Sequence, residues 1–105
     1  MSSRVEQFQA LAAGEPDNDL FRFSLAQALV ADNRGGEAIP HYAACVAKKA
    51  DWMMPRILLG KLHLQLGQRA AAKPLLEEAL RLAVEQHHEE PEHELRALLA
   101  EFPPA

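Results

Sequence analysis

Slid along itself until Asp17 meets Asp51, the chain repeats. The same displacement lays Arg22 on Arg56, Leu25 on Leu59, Ala38 on Ala72 and Pro40 on Pro74. Between these identities like meets like: Ala26 falls on Gly60, Val30 on Leu64, Tyr42 on Leu76, Cys45 on Ala79 and Val46 on Leu80. Small residues match small ones and large apolar ones match large, so the feature that recurs is a packing pattern. A unit of this kind cannot bury its apolar face alone and needs its neighbours to complete a core.

Each copy reads as a helical hairpin. From Met53 to Leu66 the apolar residues are Met53, Met54, Ile57, Leu58, Leu59, Leu62, Leu64 and Leu66, too many for a helix with one buried stripe. This helix is therefore expected to be covered on more than one side. Gly67 stops it, Gln68 and Arg69 turn the chain, and a second amphipathic run follows with Leu75, Leu76, Ala79, Leu80 and Val84 at helical spacing. Helices joined by so short a loop pack antiparallel.

Period and pattern together resemble the tetratricopeptide (TPR) repeat, whose sequence runs W-x2-L-G-x2-Y, then A-x3-F, then Pro. The second copy matches at Leu59-Gly60, Ala72 and Leu76, the first at Leu25-Ala26, Leu29, Ala38 and Tyr42. It departs at His63, where an aromatic is usual, at Arg22 and Arg56, which replace the leading Trp, and at Ala50 and Val84, where Pro would close the repeat. The resemblance implies an all-α, TPR-like helical-repeat fold, an alpha-alpha superhelix of about six antiparallel helices.

Residues outside the two copies fit that plan. Ser2 and Ser3 can cap a helix with Val5, Phe8, Leu11 and Ala12 on one face. Residues 3–16 thus form a lone helix, equivalent to the second helix of a repeat, and serve as an N-terminal cap. Repeat 1 spans 19–50, with Asp17 or Asn18 capping its first helix and Asp32-Asn33-Arg34-Gly35 as its turn. Repeat 2 spans 53–87. Pro40 and Pro74 sit at matching points, within or just beyond the first turn, where a missing N–H is tolerated. After them comes an acidic stretch, EQHHEEPEHE, and then Leu95, Leu98, Leu99 and Phe102 at helical spacing over 91–102, ended by Pro103-Pro104. This last helix is expected to cap the array.

Composition narrows the function. A net charge of -4, with Lys48-Lys49 the only adjacent basic pair, argues against a nucleic-acid partner. No run of about eighteen apolar residues offers a membrane span, and Glu6, Gln7 and Gln9 interrupt any secretory core at the N-terminus. A single Cys45, at a position where the repeat needs a small buried residue, suits a reducing cytoplasm.

Chemistry finds little to work with. The only serines are Ser2, Ser3 and Ser24, and the chain has no threonine. The adjacent carboxylates Glu77-Glu78 and Glu89-Glu90 point in different directions on a helix, and Gly35-Gly36 follows no strand. His87, His88 and His93 could in principle hold a metal, but Pro91 interrupts the backbone between the pair and His93. His41 and His63 read as partly buried packing residues. A non-catalytic chain without cofactor or metal is expected.

The positive signal is a stripe. In TPR proteins the first helices of successive pairs line a concave groove for an extended peptide or a helix. The resemblance places here Leu20, Phe23, Gln27 and Val30, then Met54, Ile57, Lys61 and Leu64, which correspond one to one under the same displacement. With Lys61 the only cation among them, an apolar or amphipathic protein segment suits the stripe better than a chain-end carboxylate. Phe23, Met54, Ile57 and Leu64 are expected to bury the partner, and Gln27, Lys61 and Gln65 to orient it. The same stripe could instead join two copies of the chain in a homodimer, or be plain core. Trp52, at the junction of the two copies, is expected to pack there, the alternative being to anchor a partner. If the stripe is a groove, exchanging Ile57 for Asp should abolish association and leave helicity nearly intact.

Overall fold

The computed structural model describes residues 3–102, and these form α-helices with no strand among them. The helices are α1 (Arg4–Gly14), α2 (Asp19–Ala31), α3 (Gly35–Lys48), α4 (Met53–Gln65), α5 (Arg69–Glu85) and α6 (Glu89–Ala100). The displacement that lays Asp17 on Asp51 also carries the start of α2 onto that of α4, and the start of α3 onto that of α5. The chain divides into two units at Ala50/Asp51. The first holds α1 to α3 and the second α4 to α6.

Turn chemistry explains the recurrence. Asn33 and Gly67, equivalent in the two copies, both take left-handed backbone, with φ of 60° and 76°. In each turn the next amide reaches back five residues, Arg34 N to Leu29 O at 2.8 Å and Gln68 N to His63 O at 2.7 Å. This is the Schellman closure, which satisfies helix-end carbonyls and favours Gly or Asn at the left-handed residue. A third turn has the same form: His87 has φ 58° and His88 N donates to Ala83 O at 2.9 Å. The period of the repeat does not extend to it, because α5 has 17 residues where α3 has 14.

Helix starts are settled by short polar side chains where these exist. Ser3 Oγ accepts from Glu6 N at 3.1 Å, and Asn18 Oδ1 accepts from Leu20 N at 3.1 Å and Phe21 N at 3.3 Å. Asn18, rather than Asp17, is therefore the cap of α2. Ser2 and Pro103-Pro104 lie outside the described residues. Pro40 and Pro74 each occupy the sixth helical position, beyond the amides that lack an intrahelical partner. Each ring therefore removes one helical hydrogen bond; both prolines are exposed, as are Gly36 and Ala70 whose carbonyls lose the donor, so those carbonyls lie at residues open to solvent. The last helix starts at Glu89, two residues before the expected 91, with Pro91 inside its first turn.

In the first unit α2 and α3 run antiparallel, for their cross-contacts descend one helix as they climb the other. Cys45 Sγ donates to Asp19 O at 3.8 Å, Phe23 meets Tyr42 edge to face at 5.8 Å, and Arg22 Nε donates to His41 Nδ1 at 3.2 Å. Ala38, Tyr42 and Cys45 of α3 are buried, with Leu25, Ala26, Ala28 and Leu29 of α2 and Val5 of α1. Burial pushes the Tyr42 hydroxyl up to about 12 and raises the Cys45 thiol as well, so Cys45 behaves as a small apolar residue.

In the second unit α5 packs on both α4 and α6. Its inward row is Ala72, Leu76, Ala79 and Ala83, all 0 % exposed, joined by Leu82. Val84, expected on that face, is exposed, because the row steps from Ala79 to Ala83. Met53 and Ile57 of α4 and Leu95 of α6 complete the cluster, with Leu64, Leu98, Leu99 and Phe102 packed around it. Small residues on α5 let both neighbours approach. A Cβ added at Gly60 would lie 2.7 Å from Leu76 Cδ2 and 2.9 Å from its Cγ.

Two substitutions test this account by chemical denaturation. Gly60→Ala should destabilise the fold by about 1–3 kcal/mol, because Leu76 is enclosed and cannot retreat. His87→Gly should stabilise it by up to about 1 kcal/mol, since glycine takes the left-handed backbone without a Cβ clash.

Candidate functional site

Burial around α4 falls on two opposed arcs. Met53, Arg56, Ile57 and Gly60 are covered on one side, Pro55, Leu59 and Leu62 on the other, as the helical turn of about 100° per residue groups them. Between the arcs runs a more open row: Met54 and Gln65 are exposed, Leu58 and Lys61 half-buried. Coverage on more than one side is what the apolar density of this helix demands.

The same row is open on α2. Leu20, Ser24, Gln27 and Ala31 are the repeat equivalents of these four residues, and Leu20 at 61 % and Met54 at 42 % are among the most exposed large apolar side chains described. The stripe expected from the sequence is thus divided. Leu20, Gln27, Met54, Lys61 and Gln65 lie on or beside the open row, while Phe23, Val30, Ile57 and Leu64 do not. Ile57 is 4 % exposed and belongs to the α4–α5–α6 core, and Leu64 packs against that core. Phe23 and Val30 are half-buried, Phe23 with its ring against Tyr42.

The difference is one of register. Steps of three and seven residues fit one arc, whereas the open row advances by four, seven and eleven; Leu58 and Ser24, absent from the expected stripe, belong to it. A signal was present. Leu58 lies four residues after Met54, on the side that Ile57 does not share.

In the second unit α6 turns the open row into a shallow groove. Arg69 anchors the far end of α6, its guanidinium 4.7 Å over the Phe102 ring and Nη2 donating to Glu101 O at 3.0 Å. At the near end Gln86 Nε2 donates to Asp51 O at 2.9 Å, which ties the α5–α6 turn to the start of α4. Glu90, Pro91 and Glu94 are thereby brought beside Met54, Ile57, Leu58 and Lys61, around a cavity of about 220 Å³. Such a volume suits one apolar side chain. Lys61 Nζ pairs with Glu94, and both side chains are partly exposed, so the bond adds little stability. It does neutralise the one cation of the expected stripe.

The remaining candidates have local partners. His63 Nδ1 and Gln68 Oε1 are 2.6 Å apart across the α4–α5 turn. Trp52 is half-buried at the start of α4, and its carbonyl accepts from Arg56 Nη1 at 3.2 Å. His87, His88 and His93 are exposed, and among the described residues no three His, Cys, Asp or Glu side chains are placed to share a metal ion. Among the same residues no helix is long and apolar enough to cross a membrane. No family model, curated protein or solved structure matches the chain.

The placement of Ile57 reverses the expected effect of its substitution. Ile57→Asp should cost about 4 kcal/mol or more by burying a charge in the core, and far-UV circular dichroism should show helix loss. Met54→Asp, on the open row, should change stability by no more than about 0.5 kcal/mol.

Proposed function

We propose that this chain is a TPR-like, non-catalytic protein-interaction module, each unit of which offers its own open row, on α2 or on α4, to an apolar or amphipathic partner segment. The observation that carries this reading is the repetition of the same row, headed in both helices by an exposed apolar side chain, Leu20 and Met54. On each row an exposed apolar head, Leu20 or Met54, shares the surface with uncharged polar or neutralised side chains, Ser24 and Gln27 or Lys61 and Gln65, which suits a segment with apolar residues at spaced intervals. Met54 adds a side chain that adapts to different shapes.

The expected chemistry of the partner follows from the side chains. Gln27 and Gln65 offer hydrogen bonds without charge, and Lys61 is held by Glu94. Neither a chain-end carboxylate nor a nucleic-acid backbone has a set of cations to meet it on these rows. The buried, reduced Cys45 accords with a cytoplasmic setting. A second copy of the chain is the alternative occupant, because exposed Leu20 and Met54 could also meet their own equivalents across a two-fold axis.

Selection from a displayed peptide library tests the reading directly, with light scattering alongside. The parent should be monomeric and should enrich peptides that share spaced apolar residues, and Met54→Asp should weaken those peptides by about tenfold or more. A parent dimer dissolved by Met54→Asp would assign the rows to self-association. Equal enrichment by parent and variant would remove the rows from the site.

A further inference from the structure

The internal repeat provides its own control for an arginine. Arg22 and Arg56 occupy the same position in the two copies. Arg56 is only 8 % exposed and its guanidinium is engaged with the Trp52 carbonyl. Arg22 is exposed, and its Nε donates to His41 Nδ1 at 3.2 Å. The counterpart of His41 is Leu75, which has nothing to accept such a bond. One arginine is built into its unit, and the other stands in a cleft.

That cleft lies within the first unit and has a volume of about 310 Å³. Ala12, Pro16 and Leu25 give it apolar walls, Gln9 stands at its lining, and Arg22 and His41 supply its basic groups. Burial first, and then the Arg22 charge, hold the His41 imidazole below its ordinary range, so it is neutral at pH 7. With Nδ1 accepting from Arg22, the ring proton sits on Nε2 and is a donor. The two Nη groups of Arg22 remain, and among the described residues no carboxylate pairs with them.

The lining therefore combines several N–H donors, one full positive charge, no carboxylate and an apolar wall. A guanidinium fork matches the two oxygens of a carboxylate. One positive charge beside a neutral imidazole balances a monoanion, whereas a phosphate dianion would keep a charge unmatched in a half-apolar cleft. We propose that the Arg22–His41 cleft binds a monocarboxylate carrying a short apolar group, either a free aliphatic acid or the last residue of a peptide. The site is separate from the open rows, since Arg22 lies off the Leu20–Ser24–Gln27 line of α2.

The test is a titration followed by NMR on the Arg22 Nε–H and His41 ring signals. The probes are sodium butyrate and N-acetyl-alanyl-leucine, each with its amide as control, at constant ionic strength. Both acids should shift these signals saturably and the amides should not; the tighter acid identifies the source. Arg22→Gln should weaken the acids about tenfold or more, and Arg22→Lys, which keeps the charge without the fork, should still weaken them. Arg96→Gln, a surface change in the second unit, should leave binding unaltered. Equal response to acid and amide, or undiminished binding by an Arg22→Gln protein with the parent's amide spectrum, would overturn the site. Inorganic phosphate binding tighter than butyrate would overturn the monocarboxylate assignment.

Discussion

Much of the second unit depends on how closely α4 can approach α5. Gly60 has no side chain, and Leu76 fills the space where one would be. From that contact outward, the alanines of α5 keep one side of the helix narrow, and Ile57 and Met53 settle against them. The other flank of the same row takes Leu95. One helix is thus the common support of two, which is why so short a unit can enclose leucines completely. Interiors packed to this density tolerate neither a gap nor an added methyl without cost.

That arrangement leaves some apolar surface that the core cannot absorb. A helix covered on two arcs has little circumference left, and on α4 what remains is the row from Met54 to Gln65. Its counterpart on α2 opens at the same register, although the two units differ in their core residues: Tyr42 in one, Leu76 in the other. Because the openness recurs while the packing partners change, it follows from helix geometry and hairpin pairing more than from any single contact. Surface features of this origin are where interaction modules acquire specificity, since side chains there can vary without disturbing the interior.

Helix order and most boundaries were legible in the sequence, because left-handed turn residues and periodic leucines act over short distances. Asn33, Gly67 and the run from Leu75 to Leu80 each carry their meaning locally. Other features were not legible, and for a physical reason. Whether Ile57 or Leu58 is open depends on which side of α4 a neighbour covers, and a helix apolar nearly all round does not encode that choice in its own periodicity. The Arg22–His41 bond is a contact between helices whose register is set by Tyr42, Phe23 and Cys45; neither residue announces the other in the chain. His87 belongs, by composition, to a solvated acidic stretch, and only the backbone reveals it as the pivot of a Schellman turn.

The longer α5 has a geometric consequence. A helix advances about 1.5 Å and rotates by roughly 100° per residue. The three residues by which α5 outlasts α3 therefore carry the exit point about 4.5 Å further along and roughly 300° around the axis. Chain leaving α5 meets the left-handed turn at His87, where chain leaving α3 passes through an extended Lys49. A small change in helix length thus acts as a punctuation mark: it ends the period of the sequence, and the helix beyond the turn packs on α5.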